Sequence, residues 1–262
     1  MTEFTSYKPG TFSWIDLSTT DPEGAKAFYE GLFGWAFTDV PVGPDDVYTM
    51  CFKDGKNVAG LAKLQPELAA MHVPSHWSSY VSVADAAAAA QRATELGGTV
   101  LAGPMQVMEE GHMAMVQDPT GAILGLWQPG RHIGSQICNE PGSLSWNELQ
   151  THDTAKAEAF YTGLFGWGAQ TADMGGFDYT SFTVGERMNA GMMAIQPDWG
   201  EMPSNWAVYI AVENCDASAA QVTALGGKVI MPPSDIPGTG RFAVIEDPQG
   251  AVSCIIQLEN PD

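Results

Sequence analysis

The chain has 262 residues, 45% hydrophobic and 16% charged, which excludes a disordered polymer and leaves room for one or two domains, each large enough to bury its own core. It carries 31 acidic and 11 basic residues, a net charge of −20 divided into −9 over residues 1–130 and −11 over 131–262, and it has no Lys/Arg run. Nucleic acid and anionic membrane surfaces are therefore excluded as partners, and the acidity serves solubility or, more sharply, a preference for cationic ligands.

Cys51, Cys138, Cys215 and Cys254 have no CxxC spacing, the N-terminus lacks a charged and then apolar leader, and no apolar run reaches transmembrane length. The expected compartment is the cytoplasm. Residues 1–9 read as a loose leader. A strand is predicted over about 11–17, with Phe12, Trp14 and Asp16 on one face and Ile15 and Leu17 on the other. Asp21-Pro22 is an N-cap followed by proline at the first helical position, and the helix runs to about Leu32, where Gly34 ends it. Strands follow at about 35–40, 46–53 and 57–64, the last two joined through Asp54-Gly55. Residues 65–76 read as a linker. A second βαβββ unit starts at Trp77. Its strand covers 77–83 and its Ala-rich helix Ala86–Leu96, capped by Asp85 and closed by Gly97-Gly98; strands near 99–102, 112–117 and 122–128 complete it. Residues 129–141 link to the rest.

The remainder repeats this pattern. Trp14, Asp16, Tyr29 and Trp35 recur at a constant offset of 132 as Trp146, Glu148, Tyr161 and Trp167. Leu96-Gly97-Gly98 recurs as Leu225-Gly226-Gly227, and Asp118-Pro119-Thr120-Gly121 as Asp247-Pro248-Gln249-Gly250. The repeat predicts two domains of one α+β fold, 1–130 (modules about 10–64 and 77–128) and 142–262, with 131–141 as linker. Each domain is a pair of βαβββ modules forming a cupped, half-open mixed-sheet barrel.

Tandem βαβββ modules with Ala-Phe-Tyr…Leu-Phe-Gly-Trp in the first helix and Asp-Pro-x-Gly in the final hairpin resemble the vicinal oxygen chelate superfamily, which includes glyoxalases, bleomycin-resistance proteins and extradiol dioxygenases. Gly-Thr-x-x-Trp-x-Asp-Leu near the start, Arg131-His132-Ile133-Gly134 in the middle and Arg241-Phe242-Ala243-Val244 near the end narrow this to a two-domain actinobacterial culture-filtrate-antigen or "hydroxylase"-like subgroup. That subgroup is similar to accessory binding proteins of antibiotic pathways. The resemblance implies metal ligands at set positions, which here hold Trp14 and Trp146, Ser78 and Ala207, Gly125 and Cys254, and fall near Gly60 and Gly191. Trp, Ala and Gly cannot ligate a divalent cation, so no metal and no other cofactor is expected. There is no nucleotide-binding glycine fingerprint.

Strand parity instead places Trp14, Asp16, Ser78, Tyr80 and Trp127 on the first concave face and Trp146, Glu148 and Tyr209 on the second. Tyr48, His112, Tyr179 and Arg241 are added as ligand contacts. With Gly60, Gly125, Gly191, Ser78 and Ala207 removing volume near the centre, each face reads as an aromatic cavity with one carboxylate, suited to a flat apolar molecule with a polar or cationic handle. The leading expectation is a metal-independent binder of a small aromatic, polyketide-like molecule, active in resistance, sequestration or product handling. A glyoxalase-like lyase, isomerase or hydroxylase using Asp16 and Glu148 as acid or base is the alternative. An interaction or antigenic protein with vestigial cavities is the third. The expected assembly is a monomer (a pseudo-dimer of domains) or a homodimer.

Overall fold

Two eight-stranded mixed sheets, one per half of the chain, hold most of the regular residues in the computed structural model, which describes residues 3–44 and 46–260. The first sheet holds β1 (Phe12–Thr19), β2 (Ala36–Pro41), β3 (Val47–Lys53), β4 (Lys56–Lys63), β5 (His76–Ser82), β6 (Thr99–Val107), β7 (Gly111–Gln117) and β8 (Ile123–Pro129), in the order β2-β3-β4-β1-β5-β8-β7-β6. The second holds β9 (Leu144–Thr151), β10 (Gly168–Asp173), β11 (Asp178–Val184), β12 (Arg187–Ala194), β13 (Asn205–Ala211), β14 (Lys228–Ile236), β15 (Gly240–Glu246) and β16 (Val252–Leu258) in the equivalent order. In each, two modules meet through an antiparallel central pair, β1 with β5 and β9 with β13, while the crossover strands β4, β8, β12 and β16 pair in parallel. The sheets are cupped and do not close into barrels.

Helices α1 (Pro22–Phe33), α3 (Ala86–Glu95), α4 (Thr154–Phe165) and α5 (Cys215–Ala224) start and stop where local chemistry dictates; a short α2 (Pro66–Ala70) lies in the segment expected to be a linker. Asp21, Asp85, Asp153 and Asn214 each accept a backbone N–H of the first turn. Gly34 and Gly166 close α1 and α4 at φ +67° and +68°, a left-handed conformation that glycine adopts at little cost.

The cores depart from expectation. The two large ones each draw on both halves. In the first core, Ile15, Leu17 and Leu61 with Phe28 and Tyr29 of α1 pack against Val208, Ile210, Ile245 and Ile255 of the second half and Val222 of α5. In the other, Val81, Val116 and Leu126 with the alanines of α3 pack against Leu149, Phe182 and Met192, with Phe160 and Tyr161 of α4. Each core thus joins the first module of one half to the second module of the other. A one-sided sheet must cover its apolar face with another layer, and here the other half supplies much of it.

The repeated motif residues make that junction. Tyr29 Oη donates to Asp247 Oδ2 (3.0 Å) and Tyr161 Oη to Asp118 Oδ2 (2.8 Å), so each first-helix tyrosine reaches the Asp-Pro turn of the opposite half. Trp35 Nε1 donates to the Gly142 carbonyl (2.8 Å) and Trp167 Nε1 to that of Gly10 (2.7 Å). A Cβ on Gly31 would lie 2.8 Å from Leu225, and one on Gly163 3.0 Å from Leu96, so both glycines let helices of opposite halves approach.

The segment expected to be a loose leader and the one expected to be a linker are both packed. Of the leader, residues 1 and 2 lie outside the described residues, as do the final residues 261 and 262. Tyr7 Oη donates to the Ser135 carbonyl at 2.6 Å, and Phe4 stacks on Tyr7. The 131–141 stretch lies against the first sheet: Ser135 N donates to the Ser13 carbonyl, Gln136 bonds Asn57, and Ile137 is fully buried.

Candidate functional site

The register fixes the concave faces. Trp14 lies opposite Tyr80, Asp16 opposite both Ser78 and Gly60, and Tyr80 opposite Gly125. In the second sheet Trp146 lies opposite Tyr209, Glu148 opposite Ala207 and Gly191, and Tyr209 opposite Cys254. Side chains on one face of adjacent strands are neighbours, so each set converges.

On the first face Asp16 Oδ2 accepts from Tyr80 Oη at 2.9 Å and, at 3.5 Å, from Tyr48 Oη, which accepts from Trp14 Nε1 at 2.9 Å. On the second, Glu148 Oε1 accepts from Tyr209 Oη and Oε2 from Tyr179 Oη, both at 3.0 Å, and Trp146 Nε1 donates to Tyr179 Oη at 3.0 Å. One carboxylate, two tyrosines and one tryptophan form the same relay twice. Burial pushes the Asp16 carboxyl up to about 6, against the opposing pull of Tyr80, His76 and Tyr48, and it raises Glu148 as well. The relay tyrosines are raised too, first by burial and then, for Tyr48, Tyr80 and Tyr179, by the neighbouring carboxylate, so they stay protonated and donate.

The glycines do not leave open volume. A Cβ at Gly60 would fall 1.8 Å from Tyr48 Oη, one at Gly191 1.8 Å from Tyr179 Oη, and one at Gly125 2.1 Å from the Tyr80 ring. The tyrosines occupy the space the glycines vacate, so the relay fills the centre of each cup. The apolar surroundings differ. Trp127, Met50, Met113 and Met115 pack around the first relay; Phe242, Val244, Ile256 and Leu258 around the second.

Ser78 sits beside Asp16, and Trp127 joins the first face with its Nε1 donating to the His132 carbonyl at 2.9 Å. His112 and Arg241 do not belong to the cups. Within β7, Ala114 and Val116 face the helical side, and His112 shares their parity; Ala243 and Ile245 do the same for Arg241 in β15. Arg241 is taken up by ion pairs to Asp216 of α5 (2.8 Å) and Asp235 (2.7 Å). His132, from the supposed linker, is the residue the sequence reading missed. Its ring stands edge-on to Trp14 at 4.4 Å, its Nε2 is buried without a partner, and burial lowers its pKa to about 4, so it is neutral. The Arg-His-Ile-Gly motif was its only signal.

The donor set does not fit a chelated divalent ion. Among the described residues no three His, Cys, Asp or Glu side chains gather as a metal-holding group, and each relay offers one carboxylate already engaged by two phenols.

The sequence matches the family model for the Glyoxalase/Bleomycin resistance protein/Dioxygenase superfamily over residues 11–126 and 143–255. It is 40% identical over 259 residues to the putative glyoxylase CFP32 of Mycobacterium tuberculosis, covering 98% of each chain. It is 33% identical over 264 residues to the anthracycline biosynthesis protein DnrV of Streptomyces peucetius, covering 97% of this chain and 95% of that one. Similar solved structures include the Mn(II)-bound glyoxalase from Novosphingobium aromaticivorans (TM-score 0.64, 14% identity, covering 97% of this chain and 86% of that one). Another is the 2,2',3-trihydroxybiphenyl 1,2-dioxygenase of Sphingomonas wittichii (TM-score 0.65, 14% identity, covering 95% and 91%). At that identity the structural likeness speaks for fold alone.

Proposed function

The chain belongs to the glyoxalase/bleomycin resistance protein/dioxygenase superfamily, and from that premise we propose that it binds a small aromatic, polyketide-like molecule without a chelated metal, in antibiotic product handling, sequestration or resistance. The observation that carries this reading is the doubled Trp–Tyr–carboxylate–Tyr relay, whose Trp14 and Trp146 stand where the superfamily's first-strand ligands are expected by spacing. The relay gives each cup an apolar floor with a polar centre, which suits a planar ligand carrying hydroxyl or ammonium groups. On the first face, half-buried methionines add a surface that adapts to a flat ring system. The full-length similarity to an anthracycline biosynthesis protein supports the ligand class.

Titration with an anthracycline aglycone, followed by tryptophan fluorescence, tests it. Saturable quenching is expected, and Trp14→Phe should remove a large part of the signal. No saturable quenching across planar polyketides would overturn the binding reading. Stoichiometric Mn, Fe or Zn in the purified protein, needed for binding, would overturn its metal independence.

A second reading is favoured by the setting of Asp16: on the concave face, held by Tyr80 and Tyr48, its carboxyl is pushed by burial up to about 6, the range a general base needs. As a carboxylate it would take a proton from carbon next to a bound carbonyl, with Tyr48 and Tyr80 holding its position. A turnover rate that rises through pH 6 and is abolished in Asp16→Asn marks this reading over simple binding.

A further inference from the structure

The two halves place equivalent positions on the helical side of the sheet, and at three of four such positions the residue type changes. In the first half Lys26, on α1, places its Nζ 2.8 Å from Glu23 Oε1 and 2.8 Å from Asp39 Oδ1 on β2. Thr49 Oγ1 donates to the same Asp39 oxygen at 2.6 Å. An ammonium group thus fills the angle between the first helix and the edge of the sheet.

In the second half the counterparts of Glu23, Lys26, Asp39 and Thr49 are Ala155, Glu158, Thr171 and Thr180. No cation is built in. All four residues line an open cleft of about 340 Å³, whose wall also includes Phe177 and Asp178 and holds no Lys or Arg. The Thr171 and Thr180 hydroxyls, 2.8 Å apart, keep acceptor capacity, and the Glu158 carboxylate has no hydrogen-bond or ion-pair partner among the described residues. The cleft lies on the opposite side of the sheet from Glu148: Phe182 and Met192 share the parity of Thr180 and face the helices, while Tyr179 faces the cup. The positive end of the α4 dipole is met by its Asp153 cap, as Asp21 meets that of α1 where Lys26 sits.

We infer that this cleft is a second ligand site, which takes a small primary ammonium compound with an aromatic or apolar tail. The ammonium sits in the cleft between α4 and the β10–β11 edge, paired with Glu158, which stands where the first half has Lys26, and hydrogen-bonded to the threonine hydroxyls. The tail lies against Phe177, which is 39% exposed. A net charge of −20 draws cations to the surface and assists capture. This site is independent of the concave faces, so its failure leaves that reading intact.

The test is a titration of the full chain with 2-phenylethylammonium, read by amide chemical shifts, with phenylacetate as the anionic control. Saturable shifts confined to 154–158, 171 and 176–180 are expected, with a Kd on the order of 1 mM. Glu158→Gln should weaken binding about tenfold, the usual loss when a charge-assisted bond becomes a neutral one. Glu158→Lys, which copies the first half, should abolish it. Glu158 is on the surface, and spectra unchanged elsewhere report an intact fold; should the lysine variant unfold, Glu158→Gln carries the test. Absent or non-saturating shifts, equal binding of phenylacetate, shifts confined to the cups, or unchanged affinity in Glu158→Gln would each overturn the inference.

Discussion

Asp16 is a carboxylate the fold holds at a cost. Burial pushes its carboxyl up to about 6 in the folded chain against 3.8 ordinarily, which corresponds to about 3 kcal/mol at neutral pH. Between those pH values the folded state keeps a proton that the unfolded state has lost, so this group's contribution to stability falls as pH rises through the window and is lowest above 6. Asp16→Asn keeps the shape and an acceptor for Tyr80 without the buried charge. It should stabilise the protein by 1–3 kcal/mol at pH 8 and by almost nothing at pH 4, read from thermal or urea unfolding at both. An equal change at the two pH values would show that the charge is not what the site strains to hold. Removing the Tyr80 hydroxyl acts in the other direction. Its hydrogen bond lowers the Asp16 pKa, so Tyr80→Phe should move the carboxyl titration, followed by carbon-detected NMR, above that of the wild type.

At the scale of elements, parity made the cups legible: Trp14, Asp16, Ser78, Tyr80, Trp146, Glu148 and Tyr209 all follow from strand alternation. The same rule applied to residues 112–117 puts Met113 and Met115 on the concave side and His112 on the helical side, so the position of His112 too is legible from alternation. What alternation cannot show is depth. The distance from a Tyr48 hydroxyl to a Gly60 Cα depends on how far the sheet curls, and the glycines that read as vacated volume are seats for tyrosine rings. The Phe-Tyr and Asp-Pro-x-Gly motifs were visible as landmarks, but their meaning is long-range. Asp118 Oδ1 holds its own turn through the N–H groups of Thr120 and Ala122, while Oδ2 is left for Tyr161 of the other half. Tyr161→Phe leaves that oxygen and the Trp206 Nε1 donor, 2.8 Å from the hydroxyl, buried without a partner and should cost about 2–4 kcal/mol in urea unfolding. Tyr29→Phe should cost less, because its equivalent bonds are longer at 3.0 and 3.3 Å.

The whole molecule follows a pairing rule in which a first module always covers a second module of the other half. A sequence repeat reveals two similar units, but it cannot tell whether each module packs with its neighbour in sequence or with a distant copy, because both choices bury the same residue types. The rule has a consequence for dissection. Residues 1–130 contain one module of each kind, and alone they expose the Ile15–Leu17–Phe28 surface and the Val81–Val116–Leu126 surface together. Two such chains can satisfy each other reciprocally, first module on second, in a two-fold dimer that imitates the full-length chain. The isolated half should therefore be either a folded dimer or a poorly packed chain that binds hydrophobic dyes, and its unfolding midpoint should rise with concentration if it is the dimer. The full-length chain has both surfaces matched internally and should be a monomer with a concentration-independent midpoint. Light scattering combined with circular dichroism separates these outcomes. A cooperatively folded monomer of residues 1–130 would show that each half carries a sufficient core, and the pairing rule would then describe only how two finished domains dock.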